Sequence, residues 1–178
     1  MLPERDSLPG SGAGKTTLIE CVIPVLRQQG LRVSVVKHAH HRFDIDQPGK
    51  DSWRHRQAGA FEVVVASDRR LALLREFERP GELTVHHLIA ELYEGVDWVL
   101  VEGFRDSNLP KIEVWRPEAG QIARYPDDDF VVAIATPAPA ALPVATLRPV
   151  LDLNQPVVVA QWLVDNGHRF DYLPEMFA

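Results

Sequence analysis

Cysteine is nearly absent: Cys21 stands alone in 178 residues, so no internal disulfide is available. A reducing compartment, the cytoplasm, is the expected location. Cys21 falls within a helical pattern and reads as a small helix residue rather than a nucleophile. No run of about 18 apolar residues occurs and no secretory leader is recognisable, so no membrane attachment is expected. Excess positive charge is missing too. The net charge of −6 argues against broad binding to nucleic acid or to an anionic membrane surface. Internal repeats and low-complexity tails are lacking. What remains is an ordinary globular composition, 46% apolar and 25% charged. The length fits a single domain over 1–178 with a sizeable core.

Against that plain background, residues 10–17 stand out. They read Gly10-Ser11-Gly12-Ala13-Gly14-Lys15-Thr16-Thr17 and run directly into the apolar helical pattern Leu18, Ile19, Val22, Ile23, Val25, Leu26. This is most of a phosphate-binding loop, G-x-x-x-x-G-K-[ST]. A triphosphate can be surrounded by backbone N–H groups at a helix N-terminus, where the helix dipole adds favourable potential. The glycines let the backbone approach without a Cβ clash. Lys15 supplies a point charge for the β- and γ-phosphates, Thr16 a hydroxyl for magnesium, and Thr17 a donor for the α-phosphate. Two features depart from the pattern. Pro9 occupies the first glycine position, and Met1–Leu8 holds only three apolar residues where a central parallel strand is nearly continuously apolar. Proline fixes φ near −65° and has no N–H. Weakened nucleotide affinity is therefore expected, unless the strand before the loop is supplied differently.

Periodicity predicts a helix over 15–29 with Pro24 inside it and Gly30 as its stop. Strands are expected at 31–36, 61–66, 97–101, 111–115 and 130–135. Short helices are expected near 51–58, capped by Asp51 or Ser52, and over 82–93, with a last helix starting at Asn154 before Pro156. The 71–78 stretch is ambiguous, and 135–149, with four prolines and five alanines, reads as an irregular connection. The alternation implies an α/β fold: a mostly parallel sheet with helices on both faces and an atypical first strand. Ligands gather at the carboxyl ends of such strands. The loop at 9–16, the segment 37–50 and Glu102-Gly103 should therefore share one rim.

The segment 37–60, KHAHHRFDIDQPGKDSWRHRQAGA, is a second constellation. Lys50, Arg54 and Arg56 can hold phosphate. Asp44 and Asp46 can hold magnesium or its waters, or can cap turns. His38, His40 and His41 can hydrogen-bond a ligand or bind a borderline metal, but lack the i, i+4 spacing of a zinc-protease helix. Glu102 ends an apolar strand where P-loop NTPases place an acid for magnesium or its water, and the Gly103 N–H can reach a γ-phosphate.

Four segments resemble one family, the molybdopterin-guanine dinucleotide biosynthesis protein B group. They are GSGAGKTTL at 10–18, VVKHAHHRFDIDQPGKDSWRHRQAGA at 35–60, VLVEGFRDSNLPKIEVWR at 99–116 and LDLNQP at 151–156. The resemblance implies a P-loop NTPase fold, a homodimer, binding of GTP with Mg2+, and weak GTPase activity at most. It implies an adapter beside the molybdenum cofactor guanylyltransferase, aiding the step that joins GMP to the molybdopterin cofactor. Carried over, Gly12, Gly14, Lys15, Thr16 and Thr17 take the phosphate-loop roles. Lys37, His38, Asp44, Asp46, Lys50 and Asp51 form the second motif, and Glu102 and Gly103 the acid and the switch. GTP over ATP rests on the resemblance, because Thr136-Pro137-Ala138 replaces the usual guanine motif after the strand at 130–135. Two alternatives stay open: a small-molecule kinase whose lid carries Arg69, Arg70, Arg75 and Arg79, and a metal-handling GTPase built on the histidines.

Overall fold

The computed structural model describes residues 14–39, 43–79, 81 and 83–173. The atypical first strand, Pro9, and loop residues Gly10, Ser11, Gly12 and Ala13 lie outside them, as do His40 and His41. The chain divides into two compact units, one of Met1–Lys37 with Val85–Ala178 and one of His38–Thr84.

In the first unit, α1 spans Lys15–Gln28. Leu18, Val22 and Leu26, spaced four apart, form its buried stripe. Pro24 lies on the exposed side, so the helix runs on through it and the carbonyl left without a donor faces water. Gly30, at φ 81°, stops the helix as its sequence position predicts, with its N–H bonded to the Arg27 carbonyl at 3.0 Å.

β1 (Val33–Lys37) pairs in parallel with β4 (Trp98–Glu102), and β5 (Lys111–Val114), β6 (Val131–Thr136) and β7 (Val150–Asp152) pair in parallel with one another in the order β5-β6-β7. The strand β7 falls at the edge of the stretch read as irregular. Three residues are too few to show a period, yet Leu151 is buried and the Ile134 N–H bonds the Pro149 carbonyl. α3 is only Val85–Ala90, shorter than the helical pattern, because the chain turns at Leu92, whose N–H bonds Ile89. α4 is Pro156–Asp165. It starts two residues later than Asn154 suggests, with Pro156 in the first turn, where its missing N–H costs nothing.

The main core joins the α1 stripe to Val159, Ala160 and Leu163 of α4 over Ala133, Ala135 and Leu151 of the sheet. On the other side of β6, Ile134 packs with Trp115, Ala123 and Tyr125, so an irregular segment covers that part of the sheet.

The second unit holds α2 (Asp51–Gln57) and an antiparallel hairpin of β2 (Glu62–Ala66) and β3 (Leu71–Arg75). The ambiguous 71–78 stretch is thus a strand. Its turn is set by Ser67, whose hydroxyl accepts from the N–H groups of Arg69 and Arg70 at 3.2 and 3.1 Å.

Candidate functional site

Among the described residues, no side chain bonds the first turn of α1 as a cap. Gly14 is the N-cap at φ 83°, and no acid lies in that first turn. Helix geometry leaves the N–H groups of Lys15, Thr16 and Thr17 without acceptors inside the helix. Only glycine adopts the Gly14 backbone without strain, and a Cβ there would stand 3.5 Å from the Arg116 guanidinium.

Glu102 closes β4 at this turn. Its Oε1 accepts from the Thr16 hydroxyl at 2.6 Å, and its Oε2 lies 3.4 Å from Lys37 Nζ at the end of β1. Three predicted residues from three elements therefore meet at one rim. Gly103, at φ 104°, swings the chain away directly after Glu102, and Phe104 follows at φ 48°, a left-handed conformation unusual for an aromatic residue. The loop beyond is pinned by Lys111, whose ammonium donates to the carbonyls of Arg105 and Ser107 at 3.0 and 2.6 Å. Glu113 accepts from the N–H groups of Arg124 and Tyr125 at 2.8 and 2.7 Å. The charges of the Lys-Ile-Glu-Val segment thus hold backbone in place.

Thr16 and Glu102 suit magnesium. Mg2+ takes oxygen ligands at about 2.1 Å in an octahedron, so adjacent ligand oxygens stand about 3 Å apart. The 2.6 Å separation approaches that spacing. Mg2+ also keeps several waters and needs only one or two protein carboxylates. Among the described residues no three His, Cys, Asp or Glu side chains gather into a metal-holding group.

The second constellation is organised differently. Arg56, with a side chain only 10% exposed, bonds Asp44 through Nη2, Asp46 through Nε and Glu76 through Nη1. The Arg56 reading as a phosphate holder is therefore corrected: three carboxylates of its own unit take its donors. Asp46 is 8% exposed and accepts from the Ser52 hydroxyl at 2.8 Å and the Gln47 N–H at 3.0 Å as well. Asp44 accepts from the Asp46 N–H at 2.9 Å. That bond, and then Arg56, hold the Asp44 carboxyl below the usual carboxylate range. Neither Asp51 nor Ser52 caps α2: Lys50 occupies the N-cap, and the Ser52 hydroxyl points to Asp46. His38 and Lys50 are exposed. Of the arginines considered for a kinase lid, Arg75 bonds Glu62 at 2.7 Å across the hairpin.

Arg116 escaped the sequence reading. The rule that found Glu102, an unusual charge at the carboxyl end of a strand, applies equally to this residue just beyond β5.

The profile of the family described as molybdopterin guanine dinucleotide synthesis protein B (MobB) matches residues 8–137. The chain belongs to this family. It is 39% identical over 163 residues to the molybdopterin-guanine dinucleotide biosynthesis adapter protein of Haemophilus influenzae, covering 90% of this chain and 86% of that one. Against the protein of the same name from Escherichia coli it is 38% identical over 167 residues, covering 93% of each. The crystal structure of the MobB protein homolog from Bacillus stearothermophilus matches with a TM-score of 0.64 at 26% identity, over 89% of this chain and 92% of that chain. The expected fold class is borne out: MobB folds are α/β and of the P-loop NTPase kind, with parallel sheets and helices. No helix among the described residues is long and apolar enough to cross a membrane.

Proposed function

We propose that the chain is a GTP-binding adapter in molybdopterin-guanine dinucleotide biosynthesis, working beside the molybdenum cofactor guanylyltransferase. Membership in the MobB family supports the pathway. The observation that carries nucleotide binding is the Thr16–Glu102 pair at the uncapped N-terminus of α1. Lys15 and the first-turn amides would hold phosphate oxygens, together with loop residues 10–13. Thr16 and Glu102 would hold Mg2+, which supplies charge neutralisation between the phosphates when bound. Lys37 Nζ, 3.4 Å from Glu102 Oε2, would hold that carboxylate beside Thr16. Gly103 and Phe104 form the bend that would face a γ-phosphate.

Hydrolysis is slow in this reading, because Glu102-Gly103 is followed by Phe104 and not by a water-orienting glutamine. The protein acts as a homodimer in the cytoplasm, holding nucleotide or the molybdopterin cofactor for the transferase.

Competition between GTP and ATP for a fluorescent GTP analogue, with Mg2+ present, tests the nucleotide. GTP should displace the probe at lower concentration, and equal displacement would reject guanine preference. Copurification of the guanylyltransferase with the tagged chain tests the partner; its absence at high expression of both would reject the partnership.

A further inference from the structure

Glu102 and Gly103 open into a loop that ends where β5 begins, and that loop is built as a stiff turn on a hinge. Gly103 and Phe104 both have positive φ, 104° and 48°. Glycine takes such a backbone freely and phenylalanine does not, so the bend is strained at its second residue. Beyond it the Ser107 N–H bonds the Phe104 carbonyl at 2.9 Å, and the Lys111 ammonium bridges the Arg105 and Ser107 carbonyls. The turn 104–107 is thus one stiff piece, and Gly103 is the place where its direction is set.

Two side chains from other elements reach this loop. Arg124 pairs with Asp106 in an ion pair open to water, which holds position weakly. His86 of α3 makes the firmer tie. Its Nε2 lies 3.0 Å from Asn108 Oδ1, and its Nδ1 lies 3.0 Å from the Tyr172 hydroxyl. An amide oxygen only accepts, so Nε2 carries the proton of the neutral ring and Nδ1 accepts from the Tyr172 O–H. Burial pushes the Tyr172 phenol above its ordinary range, which keeps that donor protonated. The His86 and Tyr172 ring planes lie 11° apart. Both supports are anchored in the first unit. Val85, beside His86, is 2% exposed. Phe170, two residues before Tyr172, packs on Trp98 and Trp162 with ring centroids 5.7 and 6.1 Å away.

A stiff turn fixed at its far end has a defined place for the N–H group at its hinge. We propose that His86 is a positioning residue of the nucleotide site: through Asn108 it latches the turn 104–107 to α3 and Tyr172, and so holds the Gly103 N–H toward the γ-phosphate. This role rests on the nucleotide reading above and adds a distinction to it. A triphosphate meets Gly103 and a diphosphate does not. Holding the loop in place lowers the cost of ordering it on binding, so the latch raises affinity for the triphosphate and adds little for the diphosphate.

The test uses the full chain, Mg2+, and fluorescent analogues of GDP and of a non-hydrolysable GTP. His86→Leu and Asn108→Ala should each weaken the triphosphate about 3–10-fold, the worth of one lost hydrogen bond, and leave the diphosphate within about twofold. His86→Gln keeps a donor for Asn108 and should recover most of the loss. Asn108 is exposed, so Asn108→Ala should keep the melting temperature of the free protein, and it decides the matter if His86→Leu does not fold. Unchanged triphosphate affinity in Asn108→Ala overturns the proposal. So does an equal loss for both nucleotides, which marks a general loosening of the loop, and so does a His86→Gln variant as weak as His86→Leu. If the unaltered chain binds neither nucleotide, the nucleotide reading falls and the latch with it. If it binds both and the variants bind as it does, only the latch falls.

Discussion

The rim at the start of α1 and the cluster around Arg56 are both rich in charge, and they treat it in opposite ways. Around Arg56, three carboxylates converge on one guanidinium, and hydroxyl and backbone donors fill the remaining positions on Asp46. At the rim, Glu102 has Thr16 and Lys37, while the α1 N-terminus carries no cap and no first-turn acid. A group with its partners inside its own unit stabilises that unit. A helix end that lacks partners is stabilised by a ligand. Charge in a motif therefore reports function only after its local partners are known.

The largest expected effect breaks the rim without touching the fold. In the proposed site Lys15→Ala would remove a charge-assisted contact of about 1.5–3 kcal/mol, so affinity for a fluorescent GTP analogue should fall about 10–100-fold. The melting temperature of the free protein should stay unchanged, and a matching loss of stability would erase the contrast between the two regions. Glu102→Gln comes next. It keeps the shape of the side chain but weakens both the pairing with Lys37 and the attraction for a cation. Affinity in Mg2+ should drop about tenfold, with a smaller change in EDTA. An equal loss in both would assign Glu102 a purely structural role.

Arg56→Leu sharpens the other side. Asp44, Asp46 and Glu76 lose their shared cation, and the 8% exposed Asp46 is left worst placed. Limited proteolysis should cut within 43–79 several-fold faster than in the unaltered chain, while the first unit stays resistant. Unchanged cleavage would show that the cluster does not hold its unit together.

Much of the rim was legible because the chemistry of phosphate binding constrains neighbouring residues. The glycine-lysine-threonine run sets Gly14, Lys15 and Thr16 on one helix turn, and an apolar strand ending in Glu102 has few uses for that acid. The Asp44-Ile45-Asp46 spacing misleads for the opposite reason. Two carboxylates two residues apart suit a cation whether it is a metal or a guanidinium. Only the turn of α2, which brings Arg56 back over the loop, shows which cation stands beside them here. Arg116 was missed because it follows a strand as one of many arginines, with no motif to mark it. Which strands lie side by side was illegible as well. Apolar strands reveal that they are buried, but not which strand lies beside them.

The smallest predicted effect concerns pH and belongs to the Arg56 cluster. The Asp46 N–H, and then Arg56, hold the Asp44 carboxyl below its ordinary range in the folded state. Because the folded value is depressed, fewer protons bind the native state than the unfolded one in that window. The stabilisation from Asp44 is thus complete above the ordinary carboxylate range and disappears as pH falls through the folded value. The Asp44 side chain is about half exposed, so water and salt weaken the effect. Thermal melts of the unaltered chain and of Asp44→Asn should differ near pH 7, with the unaltered chain higher, and converge as the solution is acidified. Convergence should come sooner at high salt. A gap that persists in acid would mean that the Asp44 carboxylate contributes through shape and neutral hydrogen bonds, and that Arg56 relies chiefly on Asp46 and Glu76.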